Sequence, residues 1–79
     1  MHEVDTNKLR KAMIDAGIDT IEQLAEKAGI NRVTTADVVK GRIYPSSMVM
    51  EKIKIALGLS SEDAGLIFFK EKLTSDASC

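Results

Sequence analysis

The stretch TIEQLAEKAGINRVTTADVVKGR, from Thr20 to Arg42, decides the fold of this chain. Thr20 and Gln23 stand three residues apart, which is the spacing of a capping box at the start of a helix. Apolar residues then recur with the period of one helix face, at Ile21, Leu24, Ala25 and Ala28. Gly29 supplies a left-handed residue to end that helix, and Asn31 is a favoured N-cap for the next one. The stretch therefore predicts two short helices joined by a tight turn, the second running from Arg32 to about Lys40.

The segments on either side predict three further helices. Their candidate N-caps are Asp5 or Thr6 for the first helix, Ser46 or Ser47 for the fourth and Ser60 for the fifth. Their expected ends lie at about Ala16, at Gly58 and at Leu73. The sequence thus predicts one all-α domain of five helices over residues 1–79, with a frayed tail at residues 74–79.

The composition is that of one small domain without a membrane segment. The chain has 79 residues, 44% of them hydrophobic, and no Trp, so its core must come from Leu, Ile, Val, Ala and Met. No run approaches the roughly 18 apolar residues of a membrane helix. The polar start MHEVDTNKLRK lacks the apolar centre of a secretion signal. We therefore expect a cytoplasmic protein with no membrane partner.

The residue pattern gives no support for catalysis. The chain has a single His and a single Cys, His2 and Cys79, too few for a metal site or an internal disulfide. Its five Gly stand singly, so the sequence contains no phosphate-binding loop. We predict a protein that is not an enzyme, with no catalytic residue, no metal, no cofactor and no evident small-molecule ligand.

The charge is distributed unevenly along the chain. The net charge of −1 argues against nucleic-acid binding, which favours basic surfaces. Residues 31–42, however, carry three bases and one acid, a net +2. Residues 1–30 carry four bases and six acids, and residues 43–79 carry four bases and five acids. The one cationic segment is therefore the third helix with the loop after it, which is weak support for an anionic partner there.

Four motifs, in this order and spacing, resemble the DNA-binding domain of the Cro and lambda-repressor-like helix-turn-helix family. They are QLAEKAGI (Gln23–Ile30), Asn31-Arg32, KGR followed by YPSS (Lys40–Ser47), and KIKIALGLS (Lys52–Ser60). The resemblance covers roughly Ile18 to Leu66 without a gap. It implies a compact lambda-repressor-like fold whose third helix enters the major groove of double-stranded DNA.

The resemblance also implies which residues touch DNA. Base edges would be contacted by Arg32, Val33, Thr34, Ala36 and Asp37, and the sugar-phosphate backbone by Thr20, Asn31, Lys40, Arg42 and Tyr44. Arg32 is the strongest candidate, because a guanidinium pairs bidentately with guanine. The alternative for each cation is an ordinary solvated charge. The alternative for Val33 and Ala36 is a plain packing or surface role. For Asp37 it is screening of wrong sites or pairing with Arg or Lys, and for Asn31 it is capping alone.

The chain departs from the family pattern at several of these positions. Ile21 stands where relatives often carry a Gln that touches a phosphate, and Thr35 stands where they usually have an aliphatic residue. Val38-Val39 replaces an aromatic residue followed by an acid. Val33 and Ala36 replace polar residues, so the third helix has few groups that can bond a base.

The part of the chain after Pro45 holds more apolar residues than one face each of two helices can bury. Ile55 lies off the apolar stripe of its helix, and adjacent Phe68 and Phe69 cannot both point inward. We predict a two-fold dimer contact made by Met48, Ile55, Phe68 and Phe69. The alternative is a longer fifth helix that buries both Phe.

The sequence therefore predicts a sequence-specific DNA-binding transcriptional regulator. Its simplest form is a repressor of the phage or mobile-element type, a homodimer on a palindromic operator, without a second domain for a ligand or for self-cleavage. The competing interpretation is a protein-interaction module that keeps the fold but has lost much of its DNA contact set.

Overall fold

A computed structural model describes residues 2–71. Within that range the chain forms five α-helices and one pair of two-residue strands. In chain order these are β1 (His2–Glu3), α1 (Thr6–Asp15), α2 (Ile21–Ala28), α3 (Arg32–Val39), α4 (Ser47–Leu57), α5 (Ser61–Phe68) and β2 (Lys70–Glu71). The five-helix all-α fold is confirmed. The tail predicted at residues 74–79 lies outside the described residues.

Side-chain caps fix where the helices begin. In each case a side-chain oxygen accepts a hydrogen bond from a backbone N–H two or three residues further on, which satisfies a donor that the first turn leaves without a partner. The capping residues are Asp5, Thr20, Asn31, Ser46 and Ser60. All five are candidates that the sequence predicts. Where it left a choice, the structure selects Asp5 and Ser46.

The core receives one face of every helix. The fully buried apolar side chains come one from each helix in turn: Leu9, Leu24, Val38, Ile53 and Phe68. α2 packs against both α3 and α4, and α1 packs against α5. Burying such a side chain stabilises the fold by about 1.5–3 kcal/mol. This packing holds α3 in helical form although its β-branched residues lower its intrinsic helix propensity.

The N-terminus pairs with the segment after α5, which the sequence did not predict. β1 and β2 are antiparallel, and the Asp5 N–H donates to the Ile67 carbonyl at 2.7 Å. The prediction that the fifth helix runs to Leu73 was wrong. α5 ends at Phe68, because the backbone beyond it takes its hydrogen bonds from the N-terminal strand. Leu73 itself lies outside the described residues.

The two adjacent Phe side chains separate. Phe68 is 1% exposed and belongs to the core, whereas Phe69 is 52% exposed, with its ring edge-on to His2 at 5.5 Å between centroids. Placing Phe68 in a dimer contact was therefore wrong, since its side chain is used inside its own domain. The alternative of two buried Phe side chains is also wrong.

Candidate nucleic-acid interface

Three residues separate α2 from α3 and fix the angle between them. Gly29 has φ 72°, a conformation that a glycine adopts without strain. Its N–H and that of Ile30 donate to the Ala25 carbonyl at 2.9 and 3.0 Å, which closes the end of α2. The Asn31 Oδ1 then accepts from the Val33 N–H at 2.7 Å and opens α3. This is the geometry of a helix-turn-helix unit.

α3 turns one side into the core and the other to solvent. Its buried residues are Thr35, Val38 and Val39. Val33 is 66% exposed, and it shares the outward side with Asp37 and Lys40 at helical spacing. Of the five predicted base-contact residues, Arg32 and Val33 are exposed, and Thr34, Ala36 and Asp37 are half-buried. Their contact with DNA stays a prediction.

Thr35 is the buried polar side chain of the described core. Its hydroxyl donates to the Asn31 carbonyl at 2.8 Å, and its own N–H donates to the same oxygen at 2.9 Å. The hydroxyl is therefore satisfied within one helical turn. This local bond accounts for a polar residue at a buried position of α3.

Both arginines of the cationic segment are paired with carboxylates. The Arg32 Nη1 lies 3.1 Å from the Glu22 Oε2 on α2, and the Arg42 Nη1 lies 3.3 Å from the Asp37 Oδ1. Ion pairs at a protein surface contribute only about 0–1 kcal/mol, so neither pair prevents its arginine from binding a phosphate or a base. Lys40 forms no ion pair with any residue in the range 2–71.

Glu22 is the residue near this site that sequence reasoning missed. The sequence alone predicts for Glu22 only a place on the solvated face of its helix. The signal that could have revealed the pair is positional: a turn of only three residues brings the first turns of α2 and α3 within side-chain reach, and these turns carry opposite charges at Glu22 and Arg32.

The loop after α3 is fixed to the end of that helix. The Arg42 N–H donates to the Asp37 carbonyl at 2.8 Å. Gly41 has φ 77°, and a Cβ at this position would lie 3.1 Å from the Thr6 Cγ2. The loop thus passes close to α1 with little room for a side chain. Lys40 and Arg42, two of the predicted backbone contacts, are held next to the outward side of α3.

Two hydroxyls predicted to contact phosphates already have partners within the domain. The Thr20 Oγ1 accepts from the Gln23 N–H at 3.1 Å and keeps its own proton to donate. The Tyr44 hydroxyl donates to the Phe68 carbonyl, so that proton is engaged. Desolvation by burial raises the pKa of the Tyr44 hydroxyl above its ordinary value.

The remaining predicted contact residues are exposed apolar side chains away from α3. Met48 and Ile55 lie two helical turns apart on the outward side of α4, and Phe69 follows α5. Ile14, at the end of α1, is as exposed as Ile55, both at 70%. Exposure alone therefore does not single out an association surface, and the dimer contact stays a prediction.

The described residues form neither a metal site nor a membrane-spanning helix. In the range 2–71, no three side chains from His, Cys, Asp or Glu are grouped so that they could hold a metal ion. Nor does any helix in that range have the length and apolar character to cross a bilayer. The cations around α3 are Arg32, Lys40 and Arg42, and their N–H donors suit phosphate oxygens and base edges as partners.

A family model described as a Cro/C1-type HTH DNA-binding domain matches residues 8–64, which run from α1 into α5. Because the match spans most of the chain, this protein belongs to that family, and the resemblance predicted from its motifs is confirmed. A search of curated proteins found no match. Family membership makes DNA binding in transcription regulation the best-supported role for the chain.

Proposed function

We propose that this protein is a sequence-specific DNA-binding regulator that inserts α3 into the major groove. The observation that carries the proposal is the outward side of α3: Arg32 and Val33 are exposed on a helix whose opposite side is buried. α3 is held at its start by the Asn31 cap and at its end by the Arg42 N–H bond. A rigid helix with a free side is what the major groove admits.

In this proposal the exposed residues divide into two roles. Arg32 pairs with the O6 and N7 atoms of a guanine, and Val33 and Ala36 pack against thymine methyl groups. Thr34 and Asp37 offer shorter polar groups to neighbouring base edges. The backbone is held by Lys40, Arg42, the Thr20 hydroxyl and the helix-start residue Asn31, whereas the Tyr44 proton is engaged with the Phe68 carbonyl and is assigned no phosphate.

Selection from a pool of random duplex DNA, followed by binding measurements on the selected duplex, tests this function. Arg32→Ala is expected to weaken specific binding by roughly 10- to 100-fold, the size of one lost bidentate base contact. Lys11→Ala is the matched control, because Lys11 is also an exposed cation but lines a groove between α1 and α5. Failure to enrich any sequence would overturn the proposal, as would equal losses in the two variants.

We also propose that the protein is a dimer on a palindromic operator, acting as a repressor of the phage or mobile-element type by occupying the site. Dimerisation through Met48, Ile55 and Phe69 would set two copies of α3 about 34 Å apart, one DNA turn. Ile55→Lys is expected to shift the protein toward monomer in light scattering, and Ile14→Lys, at an equally exposed Ile, is expected to have no effect. A strictly monomeric parent protein at tens of micromolar would contradict the dimer.

A second candidate function is a protein-interaction module built on the same fold. Two observations favour it: both arginines near α3 are neutralised by carboxylates, and apolar Val33 is exposed in the first turn of the outward side. The salt dependence of binding separates the two functions, because release of counterions from DNA makes affinity fall with salt, whereas apolar docking is nearly insensitive to salt.

A further inference from the structure

The ion pair between Glu22 and Arg32 bridges the two helices of the helix-turn-helix unit on their solvent side. The contact is single, from the Arg32 Nη1 to the Glu22 Oε2 at 3.1 Å. A guanidinium carries five N–H donors in one plane, so this contact leaves an edge of Arg32 free. The two side chains are 68% and 64% exposed, so charge and the hydrogen bond, not packing, hold them together.

We propose that Glu22 is a specificity-determining residue of the DNA interface, an inference that rests on the function proposed above. Its carboxylate holds one nitrogen of Arg32 and directs the free edge of the guanidinium toward the groove. At a site with a guanine in the matching position, that edge donates to O6 and N7 while Glu22 keeps its own bond. At DNA sequences without a guanine in that position, the free edge of the Arg32 guanidinium has no matching pair of acceptors.

Two physical effects make this pair selective. First, the bond to Glu22 orients the Arg32 guanidinium before DNA binds. An oriented Arg32 loses less side-chain freedom when it binds a base. Second, the negative charge of Glu22 faces the phosphates and cancels the attraction that Arg32 would otherwise add. Non-specific binding, which depends on phosphate contacts, is weakened more than specific binding.

The substitution Glu22→Gln tests the proposal, because it removes the charge and keeps a side-chain oxygen that can accept a hydrogen bond. Glu26→Gln is the matched control. Glu26 lies one turn further along α2, is also exposed, and forms no ion pair with a residue in the range 2–71. Both variants change the net charge by the same amount, and of the two residues Glu22 is the one paired with Arg32.

The measurement is the affinity of each protein for the duplex selected by the parent protein and for a scrambled duplex of equal length. Glu22→Gln is expected to bind the scrambled duplex more tightly and to lower the ratio of the two affinities by roughly tenfold, within the range of one base contact. Glu26→Gln is expected to leave the ratio unchanged. In an Arg32→Ala background, Glu22→Gln should no longer alter the ratio.

The outcomes separate this inference from the function on which it rests. If the parent protein selects a sequence but Glu22→Gln keeps the same affinity ratio as Glu26→Gln, the role of Glu22 is overturned and the proposed function stands. If the ratio still falls in the Arg32→Ala background, Glu22 acts without Arg32 and the inference is again overturned. If the parent protein selects no sequence, both are overturned.

Discussion

Raising the salt concentration from 50 to 200 mM should weaken DNA binding by an amount that the structure allows us to calculate. Lys40 and Arg42 lie beside α3 as the two cations assigned to phosphates, and each neutralised phosphate adds about 0.9 to the slope of log affinity against log salt. One protomer then gives a slope of about −1.8 and a dimer about −3.6, so the fourfold rise in salt costs roughly 12-fold or roughly 150-fold in affinity.

Fluorescence anisotropy of the selected duplex over a series of salt concentrations measures this slope. Arg42→Gln should flatten the slope by about 0.9 for each protomer bound, since one phosphate contact is lost. Lys11→Gln, which removes a cation beside the groove between α1 and α5, should leave it unchanged. A slope near zero would refute the assignment and favour apolar docking, and equal flattening by both variants would refute the placement of the contact at α3.

Two further predictions concern the stability of the fold around α3, at Thr35 and Tyr44. Thr35→Val should leave the free energy of unfolding in urea denaturation within about 0.5 kcal/mol of the parent value. The methyl group gained by the buried site offsets the lost hydroxyl hydrogen bond, at about 1 kcal/mol each, and the Asn31 carbonyl keeps its bond from the residue 35 N–H. A loss of more than about 1 kcal/mol would contradict it. Burial raises the pKa of Tyr44 in the folded protein above the ordinary tyrosine pKa of about 10. The neutral Tyr44 hydroxyl therefore contributes fully to the free energy of unfolding below about pH 10, and this contribution is lost as the pH rises through the pKa of Tyr44 in the folded protein. In Tyr44→Phe the free energy of unfolding should not show this decrease at alkaline pH. At neutral pH it should be lower than that of the parent protein by about 1 kcal/mol or less, because the hydrogen bond to the Phe68 carbonyl is lost. Parallel stability curves for the two proteins between pH 8 and 11 would argue against that role.

The helix starts were predictable because each depends on residues close together in the chain. Thr20 caps α2 through the N–H of Gln23, and Asn31 caps α3 through the N–H groups of Val33 and Thr34. Such features need no knowledge of the rest of the fold.

Features that depend on distant residues were not predictable. α5 ends at Phe68 because residues 70–71 meet residues 2–3 across the domain, and nothing near Phe68 in the sequence marks that meeting. For the same reason the sequence could not say which of Phe68 and Phe69 enters the core. The pair of Glu22 with Arg32 joins residues ten apart across a turn, and its distance depends on the angle between α2 and α3.

The claim that α3 is the helix that reads DNA is tested most directly by nuclear magnetic resonance. The selected duplex is titrated into ¹⁵N-labelled protein, and the shift of every backbone amide is followed. If α3 enters the major groove, the amides of residues 31–42 shift most, and Arg32→Ala reduces those shifts. Binding that leaves residues 31–42 unchanged, with its shifts confined to α4 and α5, would contradict the claim.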